Sequence, residues 1–521
     1  MSAFQIRISR RSFLQAAGLT ALAGGLAACG STAQSTAPSA SAPAYSLEDA
    51  VKAEFTDSGI TLSPENASGC TVEGTVLTIT AAGTYAVSGS CADGSIQIRK
   101  GTEDVTLVLN GLTLTSTTTA PLVCGKSSCV TLAAAEGTEN TLTDGEANNK
   151  DNENASEDAE SAVVKCKDGS QVVLCGTGTL NLQAVGKNGI KSGTREEDRD
   201  ASLTIRALTL NIDAPVNDAI NAEQQLDVES GTLNIAAGDD AVHCDLYLNV
   251  GAEGTDGPTI SISTCSEGLE AAEMNIYSGK IDITASDDCL NAANSDLGDY
   301  AFVMNIMGGT INACSSEGDG FDSNGTLTIS GGNIAVWTAN TADNQPLDAD
   351  GLITITGGTI LAAGGSSGMD CSISADQPYV TYGGSREKLG LAAGAELSIC
   401  DADGKAVYTA ATVCSTNFVF FSSPELTDGA TYTLTADSSE VAAADAQTGE
   451  AAGEMSGGPG NGPAPGNGQA PGNGPAPADG QTPPEAPEGT TPPDNGQAPA
   501  GGQPPQKPST DTAAPGSTSA V

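Results

Sequence analysis

The chain has 521 residues, of which 38% are hydrophobic, enough for a sizeable core, but only 3% are aromatic and 64 are glycine. Its formal net charge of −45 argues against nucleic acid or an anionic membrane surface as a partner. The charge favours cations, or ligands bound through cations, unless it serves solubility alone.

The first 29 residues form a predicted targeting segment. Arg10 and Arg11 belong to a twin-arginine pattern, and the apolar run 16–28 that follows is too short to be a comfortable membrane span. The run ends in a lipobox-like pattern that predicts cleavage before Cys29 and lipidation of its thiol. We therefore expect a lipid-anchored protein on the outer face of a bacterial cytoplasmic membrane. Residues 30–45 are predicted to be a flexible spacer.

Residues 46–160 are predicted to form N-terminal β coils and a cap. Short segments such as 105–107 and 112–114 alternate apolar with polar residues, which is the period of half-buried β-structure. From 161 to 371 a phrase of a small, an apolar, a polar and a small residue recurs, with its apolar residues 21 to 31 positions apart. The eight clearest phrases are 189–192, 219–222, 241–244, 268–271, 289–292, 320–323, 346–349 and 368–371.

A repeat of about 20 to 30 residues is the sequence signature of a solenoid. Most repeats carry two further alternating segments, so each coil is predicted to hold three short strands that stack on their equivalents one coil later. The predicted fold is all-β: a right-handed, single-stranded parallel β-helix. Residues 372–445 break the repeat and are predicted to form a small C-terminal β cap. Residues 446–521 are rich in Gly, Pro, Asn and Gln and are predicted to be a disordered tail.

Cysteine usage gives two expectations. Fourteen cysteines are present, and setting Cys29 aside leaves 13, so at least one is unpaired within a monomer. Cys166, Cys244 and Cys371 occupy the small inward position of the repeat and are interpreted as buried apolar residues. The candidate disulfides, allowed outside the cell, are Cys70/Cys91, Cys124/Cys129 and Cys400/Cys414. A zinc site is not expected, because His243 is the only histidine.

Strand alternation predicts a column of outward side chains, one per coil, at the residue after each apolar position. This column, the ladder, is basic at one end and acidic at the other. In chain order it consists of Lys165, Lys191, Asn221, His243, Glu270, Asn291, Asp322, Asp348 and Asp370.

A second polar column lies two residues before each apolar position, at the leading turn of the coil. Five consecutive coils carry an acid there. Two carboxylates about 4.8 Å apart repel by roughly 1 kcal/mol in water and several times more at an effective dielectric near 20. The columns therefore favour a bound cation, and oxygen ligands suit Ca²⁺. The predicted calcium ligands are Asp218, Asp239, Asp240, Glu267, Glu270, Asp287, Asp288, Asp319, Asp322, Asp348 and Asp370. The alternative is that each acid only satisfies backbone donors of its turn.

Candidate sugar contacts are the ladder residues Lys165, Lys191 and His243, together with Tyr247 and Trp337 as aromatic platforms. The alternative for Trp337 is that it covers the end of the solenoid.

Catalytic groups are harder to assign. The single histidine gives no triad or dyad, and acidic pairs suited to glycoside hydrolysis are too numerous to identify a site. The remaining route is β-elimination on uronic acids, with Ca²⁺ and a base among Lys191, Arg206 and Lys280. Each of these is also explained as an ordinary surface charge.

Several segments resemble one known family. They are 105–114, 137–145, 176–180, 189–192, 422–426 and 429–434, which occur in this order. Together they are similar to the pectate-lyase-like, calcium-binding carbohydrate-binding family of Gram-positive cell-surface proteins, over roughly residues 45–440. The resemblance implies a right-handed parallel β-helix, bound calcium, and affinity for cellulose-like and acidic plant polysaccharides. It implies no established lyase activity.

Three functions are open at this point. The first is a calcium-stabilised, monomeric cell-surface lipoprotein that binds a cellulose-like or acidic, pectin-like polysaccharide. The second is a calcium-dependent, pectate-type polysaccharide lyase. The third is a non-catalytic adhesin or wall scaffold with a non-sugar ligand.

Overall fold

The computed structural model describes residues 45–339, 344–366, 368–369, 371–384 and 387–451. Over these residues the chain forms β-strands and turns with one short 3₁₀ helix, Glu146–Asn148, so the predicted all-β class is confirmed. No helix in the described ranges has the length and apolar character needed to cross a membrane. The predicted targeting segment with Cys29, the spacer except for residue 45, the tail beyond residue 451 and the ladder residue Asp370 lie outside the described residues.

The strands are numbered in chain order. The N-terminal strands are β1 (Val51–Thr56), β2 (Gly59–Ser63), β3 (Cys70–Glu73), β4 (Val76–Ile79), β5 (Gly83–Cys91), β6 (Ser95–Ile98), β7 (Val105–Ser116), β8 (Leu122–Cys124), β9 (Cys129–Ala134) and β10 (Glu139–Asp144). The strands of the repeat are β11 (Ala162–Cys166), β12 (Gln171–Gly176), β13 (Thr179–Gln183), β14 (Asn188–Ser192), β15 (Ser202–Ile205), β16 (Thr209–Ala214), β17 (Ile220–Ala222), β18 (Gln225–Val228), β19 (Thr232–Ala237), β20 (Val242–Val250), β21 (Thr259–Thr264), β22 (Leu269–Ile276), β23 (Lys280–Ala285), β24 (Leu290–Ala292), β25 (Val303–Ile306), β26 (Thr310–Ser315), β27 (Phe321–Ser323), β28 (Thr326–Ile329), β29 (Asn333–Thr338), β30 (Leu352–Ile355) and β31 (Thr359–Gly364). The C-terminal strands are β32 (Ser372–Gly383), β33 (Glu396–Cys400), β34 (Ala406–Ala411), β35 (Phe418–Ser422), β36 (Thr431–Ala436), β37 (Ser439–Asp445) and β38 (Gln447–Ala451).

Three rows of parallel strands run through the repeat. The first row is β6–β8–β11–β14–β17–β20–β22–β24–β27. The second row is β7–β9–β12–β15–β18–β20–β22–β25–β28–β30–β32. The third row is β7–β10–β13–β16–β19–β21–β23–β26–β29–β31. The long strands β20 and β22 contribute their first halves to the first row and their second halves to the second row.

The register of each row follows from the alternation of apolar and polar residues. In β16, for example, Leu210 and Ile212 are buried whereas Asn211 between them is only half-buried. A shift of one residue would turn the apolar side chains of a strand outward, so burial fixes the pairing. The inward side chains of successive repeats form one continuous core. Equivalent outward residues are consequently held one rung apart along each row.

Strand direction changes at the C-terminal end of the repeat. β35 pairs antiparallel with both β31 and β32, and β33, β34, β36 and β37 form a separate four-stranded antiparallel sheet. These strands occupy the segment predicted to be the C-terminal cap. The structure corrects the predicted start of the disordered tail at residue 446, because Gln447–Ala451 is a strand that pairs antiparallel with β32.

The C-terminal strands cover Trp337. Its side chain is only 4% exposed and lies in an apolar cluster with Leu361 and Tyr382. The indole presents too little exposed surface to act as an open stacking platform, so the structure argues against that prediction for Trp337. The alternative, that it helps to cover the end of the stacked strands, agrees with its position.

Most of the described cysteines are buried, and none forms a cross-link. All 13 cysteines in the described part of the chain are free thiols, so the three predicted disulfides are absent. Cys124 aligns instead with Cys166 of the next repeat. Cys166, Cys244 and Cys371 are all at most 5% exposed, which confirms their prediction as small buried residues.

Candidate functional site

The predicted ladder lies along the first row of strands. Lys165 aligns with Lys191, and each further member as far as Asp322 is the direct partner of the one before it. Asp348 follows Leu347, which bridges to Phe321. The order predicted from the core phrases is therefore the order in space, and equivalent residues lie about 4.8 Å apart.

The leading-turn acids form a second column beside the ladder. The backbone N–H of the residue that follows each turn donates to the carbonyl of the acid in the next repeat, as from Gly189 to Asp218 and from Ala219 to Asp240. The same bond continues to Glu267, Asp288 and Asp319. The five acids are therefore stacked in successive repeats.

Part of this column does satisfy backbone donors, as the alternative interpretation holds. Asp218 Oδ1 accepts the N–H of Asp240 at 3.4 Å, and Asp240 Oδ1 accepts the N–H of Glu267 at 3.2 Å. Asp288 Oδ1 accepts the N–H of Asp319 at 2.6 Å. In each case one carboxylate oxygen is used for the turn. The second oxygen of Asp218 accepts a hydrogen bond from Asn221 Nδ2, and that of Asp240 lies 3.4 Å from His243 Nδ1.

The acids converge most closely at the far end of the ladder. One carboxylate oxygen from each of Asp319, Asp322 and Asp348 lies within 4.8 Å of the other two, and all three residues are half-buried. The charged groups that shift the pKa of Asp319 and of Asp322 are all carboxylates. This group, the acid cluster, brings three carboxylates together in a half-buried site.

A buried amide oxygen lies next to the acid cluster. Asn291 is the direct partner of Asp322 on one side and of Glu270 on the other, and it is only 7% exposed. Its Nδ2 donates to Glu267 Oε2 at 3.0 Å, but its Oδ1 is buried with no hydrogen-bond partner. A buried unpaired acceptor costs about 1–3 kcal/mol unless a ligand satisfies it.

A second group of acids surrounds His243. The imidazole Nδ1 contacts Glu270 Oε2 and lies 3.4 Å from Asp240 Oδ2, while Nε2 lies 3.2 Å from Asp245 Oδ1. Hydrogen bonds to Asp240, Asp245 and Glu270 raise the pKa of His243 far above its ordinary value despite its partial burial. The ring is therefore an imidazolium at neutral pH, and it supplies a positive charge between these carboxylates.

Burial raises the pKa values of the stacked acids. The pKa of Glu267 rises to about 8, chiefly through burial and then through the nearby Glu270 carboxylate. Burial likewise raises the pKa of Asp288 and of Asp319 to about 7, and of Asp218 and Asp322 to about 6. Neighbouring carboxylates add to each shift. A metal-free protein consequently holds protons on these groups at a pH where free carboxyl groups are ionised.

These shifts predict the pH dependence of stability in metal-depleted buffer. Because the pKa values of the acids are raised on folding, their stabilising contribution is complete below the unfolded values near 4 and is lost as the pH rises to about 8. The raised pKa of His243 adds a loss above about pH 6.5. Thermal melting between pH 4 and 8 should therefore show a falling Tm. A Tm that stays constant or rises between pH 4 and 8 would contradict the raised pKa values of these acids and of His243.

Five predicted calcium ligands belong to neither group of converging ligand atoms in the described residues: Asp218, Asp239, Glu267, Asp287 and Asp288. Of these, Asp239 and Asp287 are exposed. Asp218 is 4% exposed and accepts a hydrogen bond from Asn221 Nδ2 at 2.7 Å.

The basic end of the ladder is also paired. Lys191 Nζ contacts Glu223 Oε1 at 3.0 Å and donates to Asn221 Oδ1 at 3.1 Å. Burial, and then the nearby Lys191, lower the pKa of Lys165. The other proposed bases are likewise bound to acids, Arg206 to Glu229 at 3.2 Å and Lys280 to Asp282 at 2.8 Å.

Tyr247 lies off the ladder, in the second row of strands. It is half-buried and aligns with Glu273, which accepts the hydroxyl hydrogen bond of Tyr300. Tyr300 packs at 5.6 Å against Phe302. The structure thus groups Tyr247 with Tyr300 rather than with Lys165 and His243.

Asp245 and Asn291 are candidate functional residues that are missing from the calcium ligands predicted from sequence. Asp245 lies two residues after His243 in the chain, and Asn291 occupies the ladder between two acids. The sequence did contain a signal for each residue. Asp245 is an acid close to the only histidine, and Asn291 places an amide oxygen, a possible metal ligand, between two acids of the ladder.

The model of the carbohydrate-binding domain-containing protein family matches residues 73–368, more than half of the chain. The protein therefore belongs to this family. A carbohydrate-binding domain-containing protein of Acetivibrio thermocellus is 29% identical over 147 residues, which is 28% of this chain and 50% of that protein. The chain thus spans about half the length of this curated relative. The solved structure of a polysaccharide lyase-like protein from C. thermocellum, a gadolinium derivative, aligns with 59% of this chain and 96% of its own at 21% identity, with a TM-score of 0.33.

Proposed function

We propose that this protein is a calcium-stabilised, polysaccharide-binding protein of the bacterial cell surface. Membership of the carbohydrate-binding family supports a sugar ligand. The main observation in favour of bound calcium is that carboxylate oxygens of Asp319, Asp322 and Asp348 lie within 4.8 Å of one another. Three ionised carboxylates at this separation repel one another, and a bound cation would offset that repulsion.

Calcium fits the donor set better than a transition metal. The acid cluster offers only carboxylate oxygens, and the unpaired Asn291 Oδ1 adds an amide oxygen beside them. Ca²⁺ takes six to eight oxygen ligands in irregular geometry, whereas zinc and copper prefer nitrogen or sulfur. Asp319, Asp322 and Asp348 would hold the ion, and water would complete its coordination. Near His243 the imidazolium plays the equivalent electrostatic role.

We also propose that the three rows of strands form a right-handed parallel β-helix with three strands per coil. The in-register pairing of the three rows supports it. Right-handed crossovers are the rule where parallel strands of one sheet are connected.

The proposal also includes the lipid anchor at Cys29 and a position on the outer face of the cytoplasmic membrane. The twin-arginine pattern with Arg10 and Arg11, followed by the lipobox-like pattern, supports both. A monomer is the expected state.

The lyase alternative receives less support from the ladder geometry. A general base must lie within hydrogen-bond reach of the proton it removes, directly or through one water. Lys165 has a lowered pKa, but six rungs of about 4.8 Å separate it from Asp322, roughly 29 Å. Lys191, the next ladder residue, is five rungs away and already bound to Glu223.

A pull-down on insoluble cellulose and on insoluble pectate, each with calcium or with EDTA, tests the proposed function. We expect retention on at least one of these polysaccharides in calcium and weaker retention in EDTA, because removal of the cation destabilises the folded chain. Absence of retention on both in calcium would contradict polysaccharide binding and favour an adhesin with a non-sugar ligand. Release of unsaturated uronide, measured by its ultraviolet absorbance, would identify a lyase instead.

A further inference from the structure

A groove runs along the outside of the third row of strands, away from the ladder. One cavity of about 570 Å³ lies over β10, β13, β16, β19 and β21. A second of about 460 Å³ lies over β21, β23, β26 and β29 and reaches β34 of the C-terminal sheet. Both cavities are lined by Ser261 and Ser263, so they meet there. The eight third-row strands beneath the two cavities, from β10 to β29, span seven rungs of about 4.8 Å, roughly 34 Å.

Under the first cavity, the floor of this groove is a column of uncharged polar side chains; beyond Ser261 the column continues with Asp282 and Asn312. Thr141, Asn181, Asn211, Asn234 and Ser261 are consecutive partners in the row. Asn211 Nδ2 donates to Asn181 Oδ1 at 2.7 Å, and Asn234 Nδ2 donates to Asn211 Oδ1 at 2.8 Å. An amide has two N–H groups and two acceptor sites, so Asn211 and Asn234 keep donor and acceptor capacity for a ligand, whereas Asn181 Nδ2 already donates to Glu139 and Thr141.

The far end of the groove has an apolar wall. β34 and the residues after it provide Tyr408, Ala410 and Val413, and Val413 is 53% exposed. The ring of Tyr408 packs against Phe421 at 4.9 Å, which fixes its position. Polar floor and apolar wall together match the hydroxyl edges and C–H faces of a sugar chain.

The charges of the lining residues indicate whether a charged or an uncharged chain fits this groove. The residues that line its two cavities include Glu139, Asp213 and Asp282 but no Lys, Arg or His. A polyanionic chain would meet these three carboxylates; Asp282 is paired with Lys280 at 2.8 Å, but Lys280 lines neither cavity. An uncharged chain would meet amide, hydroxyl and apolar groups, and one amide or hydroxyl per rung suits a polymer whose monomer is about as long as a rung.

We propose that the third-row groove binds an uncharged, linear polysaccharide chain along the axis of the repeat. This assignment rests on the proposed polysaccharide binding and adds its position and ligand class. It separates the two surfaces of the molecule, since the sugar occupies the amide-lined groove while the acid cluster on the ladder holds the cation.

The chain contains a matched control for the amide column. In the second row, Asn275 Nδ2 donates to Asn249 Oδ1 at 3.1 Å, and Asn305 Nδ2 donates to Asn275 Oδ1 at 3.0 Å. Asn275 therefore has the same two amide bonds as Asn211, but it lines neither cavity of the groove. Asn211→Ala and Asn275→Ala break equivalent bonds, and only the first alters the groove.

The test is calorimetric titration of the full chain with cellohexaose and with hexagalacturonate in calcium. We expect Asn211→Ala to weaken cellohexaose binding about tenfold, the equivalent of one lost hydrogen-bonded side chain, and Asn275→Ala to leave the affinity unchanged. Equal effects of the two variants would overturn the groove assignment. Hexagalacturonate bound and weakened by Asn211→Ala, with cellohexaose unbound, would assign an acidic chain to the groove and overturn the proposal.

A second pair of variants keeps the test informative if Asn211→Ala or Asn275→Ala fails to fold. Ser261→Arg places a long side chain where the two cavities meet, and Thr328→Arg places the same side chain on the second row. We expect only Ser261→Arg to abolish cellohexaose binding, with melting temperatures matched between the pair. If the unaltered chain is retained on cellulose but Ser261→Arg binds equally well, the groove proposal fails while polysaccharide binding stands. If the unaltered chain is retained on neither cellulose nor pectate, the proposed function itself fails.

Discussion

Calcium at millimolar concentration is expected to raise the Tm of the metal-depleted protein. The ion would offset repulsion among Asp319, Asp322 and Asp348, which lie within 4.8 Å of one another. A ligand that binds only the folded state adds about 2.7 kcal/mol to the free energy of unfolding at 100 times its Kd. Thermal melting with and without calcium chloride measures this gain, and melting with magnesium shows whether the site prefers the larger ion.

Variants of the acid cluster test whether the calcium-dependent increase in Tm arises there. Asp319→Asn combined with Asp322→Asn removes two charges from the acid cluster, so the calcium-dependent increase in Tm should disappear. The variant should also be more stable than the unaltered chain when metal is absent, since the repulsion is relieved. Asp256→Asn changes the charge of an exposed turn and should keep the full calcium response. An equal response in all three proteins would place the calcium elsewhere.

Replacement of His243 by asparagine is expected to destabilise the protein by about 3 kcal/mol. The imidazolium contacts Asp240, Asp245 and Glu270, and the side chains of Asp240 and Glu270 are only 14% and 13% exposed. Removing one partner of such a group leaves uncompensated charge in a partly buried site, which costs about 3–5 kcal/mol when burial is complete. Denaturant unfolding of the variant in metal-depleted buffer measures the loss.

The His243 variant should also respond more strongly to calcium. With the imidazolium gone, Asp240 and Glu270 become a second place where a divalent cation can offset carboxylate repulsion. His243→Lys keeps a positive charge and should recover most of the stability without an added calcium response. If His243→Asn and His243→Lys lose the same stability, the histidine acts through packing rather than charge.

The ladder was predictable from sequence because burial of one apolar residue per repeat fixes the direction of its neighbours. Once Ile190, Ile220 and Val242 are inward, the residues that follow them must face outward in the same row. The repeat lengths vary, but this variation does not shift the register of the ladder residues in the first row. The order of acids along the first row therefore needed no knowledge of the turns themselves.

What the sequence could not supply depends on contacts between distant segments. The outward position of Trp337 follows from its strand, but the C-terminal strands that bury it come from a segment without repeat pattern. The pairing of His243 with Glu270 spans two repeats and depends on both side-chain conformations. The groove had a visible signal, because Asn181, Asn211 and Asn234 stand in nearly identical phrases, but its walls become apparent only in three dimensions.

The antiparallel strands at the two ends of the rows limit how the molecule can grow. Stacked parallel strands expose an unpaired edge at each end, and such an edge can template the addition of another chain, as in fibrils. Here β1 pairs antiparallel with β2 at the N-terminal end, and β35 pairs antiparallel with β31 at the C-terminal end. Both reversals place a strand of opposite direction where another parallel rung would otherwise add. A chain built from self-complementary rungs is thereby kept to a finite length and discouraged from end-to-end polymerisation.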